Sequence, residues 1–154
     1  MPGAHGRRSS GRPRLVGTTE MLKYAGAYIA VLLAFVLADM IWLRVIALSW
    51  YEQGMGPLLA DSPNFVAAAL FYLLFPVGLV IFAVLPGEAA AGVWRVARMG
   101  MLFGFFAYAT YDLTNLAVVK GWPVGLTIID MAWGSFLSGL ASITGKISLD
   151  YLNR

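Results

Sequence analysis

The chain has 154 residues, the length of a single domain, and a net charge of +3. Hydrophobic residues make up 60% of it and charged residues only 12%, where soluble domains carry about a quarter charged residues. A soluble globule of this length has too few charges to cover so much apolar side chain, so lipid must be the solvent for much of the surface. The absence of cysteine excludes a disulfide framework and thiolate metal sites. The only histidine, His5, lies in a polar stretch, which excludes Ser-His-Asp and Cys-His catalysis and histidine-rich metal centres.

Residues 1–20 read as a disordered basic tail. Gly6-Arg7-Arg8-Ser9-Ser10-Gly11-Arg12-Pro13-Arg14 is polar and has no apolar period to pack. Four arginines are few for nucleic acid, and no nucleic-acid partner is expected; anionic headgroups of the bilayer are. Met21 is an alternative start.

Four apolar stretches follow, at about 22–48, 64–85, 93–119 and 123–145, each longer than the roughly 20 residues a crossing needs. The first holds Asp39, Trp42 and Arg44 and is too long for a signal peptide. A loop from Ser49 to Pro63 contains Gly54, Gly56 and Pro57, which break helices, and Trp50 and Tyr51, which suit the aromatic belt. Pro76 lies inside the second stretch as an expected kink, and Pro86-Gly87 ends it. The turn Lys120-Gly121-Trp122-Pro123 separates the third from the fourth. The expected fold is all-α: residues 21–154 form an antiparallel bundle of four transmembrane helices.

Lysine and arginine gather on the cytoplasmic side of membrane proteins. With both termini inside, Arg7, Arg8, Arg12, Arg14, Lys23, Arg95, Arg98, Lys146 and Arg154 are cytoplasmic, and only Arg44 and Lys120 lie toward the outside. That distribution predicts an N-in, C-in, multi-pass protein.

Three aspartates, Asp39, Asp112 and Asp130, fall within the apolar stretches. A carboxylate in lipid is expensive and needs an interior partner. Gly100, Gly104, Tyr108 and Asp112 recur every fourth residue, and Asn115 follows; Thr127, Asp130, Gly134, Ser138 and Ser142 make a similar ridge on the fourth helix. Small residues at that spacing let helices approach closely, so these two ridges are expected to pack together. Gly26, Ala30, Ala34 and Ala38 form a comparable ridge beside Asp39. Asp-x-x-Trp occurs twice, at Asp39/Trp42 and Asp130/Trp133, and an indole N–H can reach a carboxylate on a neighbouring helix.

Counting at about 1.5 Å per residue puts all three aspartates roughly 10–14 Å below the outer helix ends, with Tyr72 at the same level. The expected candidate site is one polar cluster in the outer half: Asp39, Asp112, Asp130 and Asn115, with Tyr72, Tyr108 and Tyr111, the tryptophans Trp42 and Trp133, and Arg44 reaching it from above. Three close carboxylates repel, so at least one is expected to hold a proton or a cation. The alternative is that these polar groups only bind helices together.

Several segments resemble an uncharacterised family of bacterial membrane proteins, domain-of-unknown-function family two-one-seven-seven. They are Asp39-Met40-Ile41-Trp42-Leu43, Tyr51, Gly56-Pro57-Leu58-Leu59, Phe71-Tyr72, Phe82–Pro86, the run from Tyr108 to Ala117, Gly121-Trp122-Pro123 and Asp130-Met131-Ala132-Trp133-Gly134. The similarity covers Met21 to about Ser142. It implies a four-helix protein of the bacterial cytoplasmic membrane and no established activity, cofactor or metal.

Three function classes remain. The first is a non-enzymatic protein that binds a small polar or amphipathic ligand, or a cation, between its helices. The second is a membrane enzyme. Tyr111-Asp112 and Asp130 are similar to the paired carboxylates of intramembrane aspartyl proteases, but Thr127-Ile128-Ile129-Asp130 stands where that family has Gly-x-Gly-Asp; lipid-modifying chemistry with the aspartates is the other enzymatic form. The third is a homo-oligomer or an assembly subunit of a larger membrane complex.

Overall fold

A computed structural model describes residues 17–87 and 92–154. The basic tail through residue 16, and Glu88, lie outside the described residues. Every regular element among those described is helical: α1 (Thr18–Ile41), α2 (Leu48–Met55), α3 (Phe65–Leu79), α4 (Val93–Val118) and α5 (Val124–Leu152). A wide π turn at Trp42–Ile46 prolongs α1 and another at Val80–Val84 prolongs α3.

Three boundaries differ from the sequence expectation, each for a local reason. Helix α1 begins at Thr18, inside the expected tail, because Glu20 sits in the first turn and pairs with Lys23 at 3.1 Å. Part of the expected loop is α2. Its glycine does not break it because Gly54 packs against the turn before α5, where an added Cβ would lie 3.3 Å from Pro123 Cγ. Helix α5 runs past Gly145-Lys146 to Leu152, since Lys146 buries its stem and pairs with Asp150 one turn on at 2.5 Å.

Other boundaries follow the sequence closely. Asn64 caps α3, accepting from the backbone N–H groups of Val66 and Ala67 at 3.1 Å each. Pro76 lies inside α3 without ending it, and the backbone ladder widens four residues later, at the π turn. Gly121 takes φ of +80° between α4 and α5, a conformation that disfavours any residue with a Cβ.

The stretches Thr18–Ile46, Phe65–Gly87 and Val124–Leu152 are long and apolar enough to cross a bilayer. Helix α4 has 26 residues, also a spanning length, but Tyr108, Thr110, Tyr111, Asp112, Thr114 and Asn115 lower its hydropathy. Large apolar side chains such as Leu33, Leu37, Val45, Phe65, Leu74 and Phe106 cover the outside of the bundle. Several apolar helices with an apolar exterior make this a membrane protein.

Helix α5 is the hub, with α1 and α4 packed along it and α3 against α1. The expected seam between α4 and α5 is present. A Cβ on Gly100 would lie 2.7 Å from the Ser138 carbonyl, one on Gly104 2.2 Å from the Gly134 carbonyl, and one on Gly134 2.2 Å from the Tyr108 ring. On α1 the buried row is Ala27, Val31, Phe35 and Asp39, one residue round from the small-residue ridge. The ridge still serves close contact: Thr144 of α5 donates to the Ala30 carbonyl at 3.1 Å. Phe35, Leu79, Val84, Val96, Leu137 and Leu149 fill the core.

Candidate functional site

Asp39 ends the buried apolar row of α1, which aims it between α3 and α5. Both of its oxygens are used: Tyr72 of α3 donates to Oδ2 at 2.7 Å and the Trp133 indole of α5 donates to Oδ1 at 2.9 Å. The side chain is 5% exposed. One carboxylate therefore ties three helices together through two uncharged donors.

Asp130, 7% exposed, follows Thr127 on the inward ridge of α5. It accepts a hydrogen bond from the Tyr51 hydroxyl, so α2 is fastened over this end of the bundle. Burial, reinforced by the Asp130 carboxylate, pushes the Tyr51 hydroxyl well above the ordinary tyrosine range, so it stays a proton donor. The Trp42 indole N–H lies against the Tyr51 hydroxyl without completing a hydrogen bond. The two tryptophans of the Asp-x-x-Trp pairs stack on each other, with centroids 4.4 Å apart and planes at 8°.

Asp112 is 0% exposed, and neither of its oxygens has a hydrogen-bond partner. Tyr108 packs its ring on Gly134 and lines the same cavity as Asp39 and Asp130.

A pocket of about 580 Å³ opens among these groups, lined by Asp39 and Asp130 and by Tyr51, Tyr72, Tyr108 and Tyr111. Phe71 and Phe75 of α3, Trp122 of the turn before α5, and Met55 and Leu59 complete most of its apolar wall. Tyr111 meets Trp122 edge to face at 5.7 Å, and the Trp122 indole donates to Thr127 at 3.1 Å.

The structure thus brings Asp39, Asp130, Tyr72, Tyr108 and Tyr111 around one cavity. Asp112 stands behind the wall and does not line it, so Asp112 and Asp130 present no shared face to a substrate. Trp42 and Trp133 form a stacked layer outside the lining. Asn115 donates to the Tyr111 carbonyl of its own helix at 2.9 Å. Arg44 is exposed and takes part in no ion pair among the described residues.

Sequence reading gave Tyr51 to the aromatic belt and Trp122 to the turn before α5, and placed neither at the site. The signal for Tyr51 was present: Tyr51, Gly54 and Met55, at helical spacing, turn inward while their neighbours stay exposed. Nothing in the spacing revealed that Trp122 folds back over the pocket.

A family model described as a predicted membrane protein matches residues 24–147. The chain belongs to the DUF2177 family. The match spans every residue of the pocket, and DUF2177 is a family of unknown function. No curated protein and no solved structure matches the chain.

Proposed function

We propose that this DUF2177 protein is a four-span protein of the bacterial cytoplasmic membrane that binds a small amphipathic ligand in the pocket beneath α2. The observation that carries this reading is the pocket itself. Its volume, about 580 Å³, falls within the roughly 300–1,000 Å³ of small-molecule sites. Its walls are largely apolar and aromatic, with two carboxylates as the polar anchors. Helix glue alone needs the hydrogen bonds of Asp39 and Asp130, but it does not need an open cavity between them.

The test is purification in a mild neutral detergent, followed by solvent extraction and mass spectrometry. One small molecule is expected to be enriched near stoichiometry with the chain. It is expected to be lost from Ala107→Trp, which fills the cavity from α4. No enriched molecule in the unaltered protein would overturn the reading.

The four-span, N-in and C-in arrangement is part of the same proposal. Lys23, Arg95, Arg98, Lys146 and Arg154 gather toward one end of the bundle, and Arg44 and Lys120 toward the pocket end. The positive-inside bias then turns the pocket outward, away from the cytoplasm. Reporter fusions after Arg154 are expected to report a cytoplasmic position, and fusions within 49–63 an external one. A C-terminal fusion reporting from outside would reverse the assignment.

A further inference from the structure

The pocket's charge and shape narrow the ligand further than size does. Asp39 and Asp130 line it, and no lysine or arginine does. Tyr72, Trp133 and Tyr51 orient the two carboxylates with uncharged donors, so neither has a positive side chain as its hydrogen-bond partner. Arg44, at the same end of the bundle, is exposed and does not line the pocket. A buried carboxylate in an apolar setting needs a positive partner if it is ionised.

The rest of the wall is aromatic: Tyr108, Tyr111, Phe71, Phe75 and Trp122 add faces to the carboxylates. Aromatic faces attract desolvated cations. Two carboxylates among phenols and phenyl rings are a poor match for a hard metal ion, which takes about six or more oxygens. Among the described residues no group of three acidic, histidine or cysteine side chains converges on one point. The donor set therefore fits an organic cation better than a metal.

The shape supplies the second constraint. Next to the connection between them, α3 and α4 are held together through the π turn Val80–Val84. Toward the pocket their backbones separate, and aromatic side chains bridge them: Phe75 lies 5.4 Å from Phe103 and 6.1 Å from Tyr108. Phe71 on α3 and Tyr111 on α4 both line the pocket, yet are 39% and 56% exposed. Leu74 and Phe106, on the same two helices, are exposed apolar residues of the outer surface. The cavity thus reaches the side of the bundle between α3 and α4, where exposed Leu74 and Phe106 stand beside Thr110 and Tyr111.

We infer that the pocket takes a single-chain alkylammonium amphiphile from the bilayer, its ammonium between Asp39 and Asp130 and its chain passing out between α3 and α4. The inference rests on the ligand-binding reading above and names the ligand's class. The carboxylates select the positive headgroup, the rings desolvate it, and the gap between the helices accommodates a tail without removing it from lipid.

The experiment compares two molecules that differ only in charge. n-Dodecylamine, protonated at pH 7, and 1-dodecanol are each titrated into the full-length protein in neutral maltoside micelles, with tryptophan fluorescence as the readout. The amine is expected to bind about tenfold or more tightly than the alcohol. Asp130→Asn keeps an oxygen for Tyr51 and is expected to bring the two affinities together by weakening the amine. Equal affinities in the unaltered protein would overturn the cation assignment and leave the pocket reading standing. Binding of neither molecule would overturn both. The comparison in the unaltered protein does not depend on any variant folding.

Discussion

Replacing Gly104 by alanine is expected to destabilise the bundle by about 2–3 kcal/mol, the upper range for overpacking a tight interface. The new Cβ would lie 2.2 Å from the Gly134 carbonyl oxygen and 2.2 Å from Ser138 Oγ. A serine hydroxyl can rotate away, but a backbone carbonyl moves only with its helix. The two helices would have to separate, loosening the contacts at Gly100 and Gly134 along the same seam. Gly125→Ala is the control, since a Cβ there meets nothing within 4 Å. Alanine is a better helix former than glycine, by about 1 kcal/mol in a helix interior, so that change should be neutral or slightly stabilising. Thermal unfolding in micelles, followed by tryptophan fluorescence, checks the pair. Equal midpoints for the two variants would show that the α4–α5 seam is looser than its geometry says.

Asp39→Ala is expected to be comparably damaging, for a polar rather than a steric reason. It removes the acceptor for both Tyr72 and Trp133, leaving two donors from two helices unpaired at once. Interhelical hydrogen bonds in membranes average well below their nominal strength, but leaving buried donors unsatisfied costs about 1–3 kcal/mol each. A total loss of about 2–4 kcal/mol is expected. Asp39→Asn keeps one acceptor oxygen and should lose less. A double-mutant cycle with Tyr72→Phe isolates one arm: a coupling of about 1 kcal/mol is expected, and a coupling near zero would mean that the carboxylate is not a structural tie. The same variants separate glue from site. If Asp39→Asn stays folded yet fails to retain the ligand, the charge has a role beyond holding α1, α3 and α5 together.

The apolar composition, the scarcity of charge and the several long apolar stretches were enough to establish a helical membrane protein, because a chain in lipid must satisfy its own backbone and helices do so locally. The small-residue ridges at Gly100, Gly104 and Gly134 were legible too, since a four-residue spacing defines one helix face wherever that face ends up. So was the convergence of Asp39 and Asp130, whose exclusion from lipid left them only the interior.

Tertiary structure alone decided how the aspartates differ. Asp39 takes its donors from Tyr72 and Trp133, at sequence separations of 33 and 94 residues, and Asp130 takes its donor from Tyr51, 79 residues away. No local pattern encodes such partners. Asp112 shares its ridge with Tyr108 and Gly104, but it is buried behind the cavity instead of opening onto it. Asn115 continues that ridge in sequence, yet its amide binds its own helix, where a carbonyl lies within reach one turn back. Arg44 was placed above the cluster by depth alone; the π turn at Trp42–Ile46 alters the rotation of the residues that follow, and a depth count carries no information about rotation. The short helix α2 escaped notice for a related reason. Gly54 within it, and Gly56 and Pro57 just beyond, argue for a loop when read singly, and contact with Pro123, the Trp50–Trp42 ring contact and the hydrogen bond to Asp130 hold it as a helix over the pocket.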